Sequence, residues 1–90
     1  MSKVIGVIGL GRFGSNIAKT LYDLGHKVLA IDNNITNVEH ISNQVTWARQ
    51  IEYTLNHFKE CGIVDCHTVV IAIGHSFEEN VLVTMMMKEL

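Results

Sequence analysis

The sequence predicts an α/β fold, a parallel sheet with helices on both faces. Three observations carry that prediction. Four apolar, strand-like runs alternate with four helix-like stretches. No proline interrupts them anywhere in the 90 residues. A glycine-rich run, Gly9-Leu10-Gly11-Arg12-Phe13-Gly14, stands where the first strand gives way to the first helix. Alternation of this kind forces parallel strands joined by right-handed crossovers.

Each element has its own signal. Strand one covers about Lys3 to Ile8. Helix one, Arg12 to Leu24, carries Phe13, Ile17, Ala18, Leu21 and Leu24 at near-helical spacing, and Gly25 supplies a stop. Strand two runs from about Lys27 to Ile31 and is closed by Asp32. Asn34 or Thr36 can cap a second helix with Val38 and Ile41 on one face. Strand three, about Val45 to Ala48, is polar enough for a sheet edge. Leu55, Phe58 and Cys61 give a short apolar face that Gly62 ends. Strand four, Thr68 to Ile73, is the most apolar and is expected at the sheet centre. Ser76-Phe77-Glu78-Glu79 has the spacing of a capping box. The helix it opens runs on through Val81, Leu82, Met85 and Met86. The expected strand order is 3-2-1-4.

Composition bounds the function. Hydrophobic residues make up 48% of the chain and charged ones 18%, which suits a globular core of one small domain. At this size only roughly 60–65% of the unfolded surface is buried. The formal net charge is −2, with no basic cluster, so nucleic acid is not the expected partner. No apolar run reaches the ~20 residues that cross a bilayer, and Met1-Ser2-Lys3 lacks the features of a signal peptide. Cys61 and Cys66 have no second pair and read as reduced thiols of a cytosolic protein. The five histidines show no metal-ligand spacing, and no nucleophile–base arrangement stands out. Trp47, on the edge strand, reads as packing.

The chemistry concentrates in the glycine run. Strand, GxGxxG, helix, second strand and terminal carboxylate arrive in the order of a Rossmann-like dinucleotide-binding βαβ unit. Gly9 allows the tight turn, Gly11 lets backbone approach a pyrophosphate, and Gly14 lets helix and strand pack closely. The helix N-terminus offers free N–H groups and partial positive charge to phosphates. Asp32 is placed to accept both hydroxyls of an adenosine ribose. It would repel a 2′-phosphate, and Asn33 and Asn34 supply no arginine to receive one, so NADP is disfavoured. Gly74 and His75, after strand four, come up on the other side of the crevice. Arg12 reads either as a solvated first-turn side chain or as a phosphate clamp. His75 reads as a phosphate donor or as a solvent-facing loop residue.

With Leu24-Gly25-His26-Lys27-Val28-Leu29-Ala30-Ile31-Asp32 added to the glycine run, the chain resembles the nucleotide-binding domain of Trk/Ktr-type potassium-uptake regulators, the RCK, KTN or TrkA-N domain. Cys61-Gly62-Ile63, Val69 to Gly74 and Glu78-Glu79-Asn80 agree with that resemblance, which covers essentially all 90 residues. It implies a non-catalytic cytosolic subunit that binds NAD(H), ATP or ADP and gates a membrane potassium-translocating subunit. The location it implies is cytoplasmic, peripheral to the inner face of the membrane through that partner. Phosphate contacts are implied at Gly9, Leu10, Gly11, Arg12 and Phe13, ribose contact at Asp32, and further contacts at Gly74 and His75. Two departures stand out. Where the family has a small polar pair beside the adenine, this chain has Gln50-Ile51-Glu52, so Ile51 offers packing without a hydrogen bond. The family's further strands, crossover helix and C-terminal lobe are also missing, so residues 1–90 read as an incomplete domain. The uncovered strand-four edge and the Met85-Met86-Met87-Leu90 surface, part core and part interface, are expected to support a dimer or higher ring. The alternative is the N-terminal piece of an NAD-dependent dehydrogenase, many of which begin with a similar IGLG run.

Overall fold

A computed structural model describes residues 3–90. Four parallel strands, β1 (Val4–Ile8), β2 (Lys27–Asp32), β3 (Trp47–Gln50) and β4 (Thr68–Ile71), alternate with four helices. The helices are α1 (Arg12–Asp23), α2 (Ile35–Ile41), α3 (Leu55–Glu60) and α4 (Phe77–Glu89). The sheet order is β3-β2-β1-β4, as the sequence predicts. In register, Ile8 of β1 lies between Ile31 of β2 and Ile71 of β4, so the three strands end level with one another. That common end is where the glycine run begins.

Each sheet face has its own apolar core, because side chains alternate along a strand. Val7, Val28 and Ala30 pack with Ala18 of α1 and Val38 and Ile41 of α2. On the opposite face Ile8, Leu29 and Ile31 pack with Phe58 of α3 and Val83 of α4. β2 is apolar and buried from Val28 to Ile31, which a strand covered on both faces requires.

Three expectations need correction. β3 begins at Trp47 and not at Val45, because Val45 is buried with the α1/α2 core before the ladder starts. Thr46 Oγ1 then accepts the Val28 N–H at 2.9 Å, and the first register pair is Leu29 with Trp47. β4 stands at the sheet edge, so Val69, Val70 and Ile71 are only half-buried despite being its most apolar run. Two apolar residues of α1 are not core: Phe13 is 68% and Leu24 is 70% exposed. Phe13 instead reaches the cleft described below.

The helix ends explain themselves locally. Asn34, not Thr36, caps α2, its side chain accepting the N–H groups of Thr36 and Asn37. Thr54 caps α3 through the His57 N–H. Ser76 caps α4 through the Glu79 N–H at 3.1 Å. The return half of that capping box is absent, since Glu79 Oε1 is buried without a hydrogen-bond partner. In α4, Met86 and Met87 pack on the core, whereas Phe77, Leu82 and Met85 are exposed. No described helix is long and apolar enough to cross a membrane.

Candidate nucleotide site

Three glycines shape the loop after β1, each by a different constraint. Gly9 has φ +98°, and a Cβ there would meet the Ala72 carbonyl oxygen at 2.6 Å. At Gly14 a Cβ would run into the Gly9 carbonyl and stand 3.2 Å from the Ala72 side chain, so α1 can lie against the strand ends only without one. A Cβ at Gly11 would meet nothing within 4 Å. Packing therefore does not explain Gly11. The open space above its backbone is what a ligand approaching the chain would fill.

The same loop leaves donors free. Gly11 is the N-cap of α1, makes no side-chain cap hydrogen bond, and no acidic residue stands in the first turn. Among the described residues, the N–H groups of Gly11, Arg12 and Phe13 have no backbone acceptor. Unpaired donors, the positive end of a 12-residue helix and the Arg12 side chain together favour an anion. The Leu10 N–H is not part of this set, because it donates to Asp32 Oδ2 at 2.7 Å.

Asp32, at the end of β2, is 6% exposed and holds three donors. Besides Leu10, the Asn37 side-chain amide donates to Oδ2 at 3.2 Å, and the Asn34 N–H donates to Oδ1 at 2.9 Å. The carboxylate thereby ties the glycine loop to the start of α2. It also has fewer acceptor positions for a ribose than the sequence suggests. A carboxylate offers about four lone-pair sites, and protein donors already occupy three.

A cleft of about 370 Å³ opens between these groups at the carboxyl ends of β1, β2 and β4. Gly9, Leu10, Gly11, Arg12, Phe13 and Asp32 form one wall, and Gly74 and His75 stand on the other with Ala72 and Ile73. Of the residues expected at the site, Gly14, Asn33, Ile51 and Glu52 do not line it. Gly14 is buried where α1 meets β1. Asn33 is exposed, its carbonyl accepting from the Gln50 side chain at 3.0 Å. Ile51 is turned into the α3/α4 core, its N–H donating to the Asp32 carbonyl. Glu52 is exposed.

Asn37 and Tyr53 line the cleft instead. Tyr53 is half-buried and stacks on Phe58, with ring centroids 5.8 Å apart and planes 14° from parallel. Burial pushes its phenol well above the usual tyrosine range, and the negative charges of Asp32 and Glu79 push it the same way. A backbone hydrogen bond with Asn33 opposes them without prevailing. A neutral aromatic ring thus faces the end of the cleft beside Asp32. The sequence carries no signal that separates Tyr53 from Ile51, because residues two apart share a face of an extended chain and here the backbone bends at Tyr53. Asn37 was detectable only as a polar residue one helical turn beyond the cap.

The far wall is fixed by Asn80, which exchanges hydrogen bonds with the Ile73 backbone through both ends of its amide and donates to the Ser76 carbonyl at 2.9 Å. No Cβ contact arises at Gly74 within 4 Å, and His75 is exposed. A separate cavity of about 240 Å³, walled by Val4, Leu29, Trp47 and Cys61, contains none of the glycine-loop residues. Cys61 and Cys66 are free thiols, and burial pushes the Cys66 thiol up.

A parallel sheet of this order, with an uncapped helix opening at the strand ends, defines a Rossmann-like nucleotide-binding domain. Residues 5–90 match the TrkA-N domain model, and the chain belongs to that family. It is 39% identical over 90 residues to Ktr system potassium uptake protein A of Bacillus subtilis (strain 168), covering 99% of this chain and 40% of the relative. It is 31% identical over 93 residues to Ktr system potassium uptake protein C of the same strain, covering 100% of this chain and 41% of the relative. With Ktr system potassium uptake protein A of Vibrio alginolyticus it shares 38% over 88 residues, covering 97% and 40%. The chain thus spans about two-fifths of the length of these relatives.

Proposed function

We propose that this chain is the nucleotide-binding part of a regulatory subunit of a potassium-uptake system. Its ligand carries an adenosine diphosphate moiety, as NAD(H), ADP or ATP do. The observation that carries the reading is the open loop at Gly11 beside Asp32, where free N–H groups and an acceptor lie in one cleft. Phosphates would take the N–H groups of Gly11 to Phe13, with Arg12 as the cation. Asp32 would take the ribose, and its charge disfavours NADP. The residues present fit such a ligand, because among the described residues no atom lies within 4 Å of where a Gly11 Cβ would stand. Tyr53 would flank the base, the role that the sequence assigned to Ile51 and Glu52.

The subunit would act by binding and not by catalysis, from the cytoplasmic side of the membrane, through a potassium-translocating partner. The family match and the names of the relatives support this over a dehydrogenase fragment. The exposed Phe77, Leu82 and Met85 of α4 would form part of a homo-oligomer interface, and Gly74 and His75 would connect the cleft to that helix. Linkage then requires nucleotide and self-association to alter each other's affinity by the same factor, typically ~1–3 kcal/mol. Calorimetric titration with NAD, NADH, ATP, ADP and AMP tests the ligand. Sedimentation at several protein concentrations, with and without NADH or ATP, tests the coupling. Nicotinamide oxidation with common hydroxy acids, well above background, would favour the dehydrogenase.

A further inference from the structure

Asp32 cannot receive both ribose hydroxyls while it keeps its protein partners. Oδ2 accepts from the Leu10 N–H and from the Asn37 amide, which occupies both of its lone pairs. Oδ1 accepts from the Asn34 N–H and has one position left. The two backbone donors are set by the course of the glycine loop and the α2 cap, so they stay with the carboxylate. One hydroxyl can therefore reach Asp32, and the other needs a second acceptor close by.

Asn37 is that acceptor's source. It is half-buried, lines the same cleft as Asp32, and lies in the first turn of α2, where its own N–H is held by the Asn34 cap. Its side-chain Nδ2 is fixed on Asp32 Oδ2, which sets the orientation of the planar amide. An amide whose nitrogen is committed to a carboxylate still carries two lone pairs on its oxygen. Neighbouring ribose hydroxyls are a pair of donors, and the hydrogen bond between Asn37 Nδ2 and Asp32 Oδ2 keeps the two side chains that could receive them together.

We propose that Asn37 completes the ribose site, Asp32 Oδ1 accepting one ribose hydroxyl and Asn37 Oδ1 the other. This rests on the nucleotide reading above and assigns the discrimination of ribose from deoxyribose to two side chains. Nδ2 holds Asn37 in place, and Oδ1 does the recognition. Asp32 remains the anchor of the loop whether or not a ligand is bound.

The test compares ADP, 2′-deoxy-ADP and 3′-deoxy-ADP binding to the wild-type protein and to Asn37→Ala and Asn37→Leu. Both replacements favour helix and keep the backbone N–H that Asn34 caps. In the wild type each deoxynucleotide should bind roughly tenfold more weakly than ADP, the loss of one hydrogen bond at a half-buried site. In either variant one of the two penalties should fall below about twofold and the other should persist, the expected mark of a single lost acceptor. Two retained penalties would overturn the assignment. Loss of both would also overturn it, because Asn37 would then act only by holding Asp32. No ADP binding to the wild type would instead overturn the nucleotide reading and this inference with it.

Discussion

Two helices, α1 and α4, begin beyond the carboxyl ends of neighbouring strands, yet their N-termini are built in opposite ways. α4 is closed. Ser76 caps it, Glu78 and Glu79 stand in its first turn, and Asn80 ties its start to the Ile73 backbone. α1 is open, with glycine at the cap, no acidic residue in the first turn and room above Gly11. Macrodipoles of similar sign serve different ends there. At α4 the protein's own side chains satisfy the positive terminus, which anchors the helix. At α1 no described side chain does so, and the proposed ligand would take that place. The difference lies in a few residues at each cap, and the lengths of 12 and 13 residues are nearly the same.

Substitutions at the two ends should separate these roles. The largest effect is expected from Gly11→Val. Its side chain would stand where phosphates approach, abolishing nucleotide binding while far-UV circular dichroism stays that of the wild type. Retained affinity would place the ligand elsewhere. Next comes Asp32→Ala, which removes the ribose acceptor and leaves the Leu10 and Asn34 N–H groups without it. Affinity for every adenosine ligand should fall by about 1.5–3 kcal/mol, with a measurable loss of stability in urea. An unchanged dissociation constant in the folded variant would remove Asp32 from the site. Ser76→Ala, at the closed end, should reverse the pattern. Stability should drop by roughly 1 kcal/mol, with nucleotide affinity within about twofold of wild type. A large loss of affinity there would show that both helix ends hold ligand.

Tyr53 gives the smallest effect and a sign that can be checked. Its pKa is raised in the folded protein, so the folded state keeps a proton that the unfolded chain releases at about pH 10. Its contribution is fully present below that pH and is lost as pH rises through the alkaline range. Urea unfolding from pH 8 to pH 11 should show stability falling above about pH 10, and Tyr53→Phe should flatten that fall. An equally steep fall in the variant would assign it to other groups.

The fold was legible because its signals are local and repeated. Apolar runs at β1 and β2, Gly25 after α1 and Ser76 before α4 each mark an element without reference to the rest. What misled was burial. Val69 to Ile71 read as central, yet apolarity records the contacts a strand can make and not the neighbours this chain provides. Phe13 fitted the helical spacing of a core residue but falls where α1 meets the cleft. Glycine was legible where backbone geometry or packing demands it, as at Gly9 and Gly14. The site was illegible where side chains choose partners across the fold. Nothing in the order Asp32-Asn33-Asn34 shows that Leu10 and Asn37 share one carboxylate, or that Ile51 turns inward while Tyr53 faces the cleft.

The central claim is that the open end of α1 receives the phosphates. Titrating the protein in parallel with ADP and with adenosine tests it most directly, since the two share base and ribose and differ only in the groups assigned to Gly11, Arg12 and Phe13. ADP should bind, and adenosine should bind roughly 100-fold more weakly or not at all, the loss of several charge-assisted hydrogen bonds. Equal affinity for adenosine and ADP would contradict it.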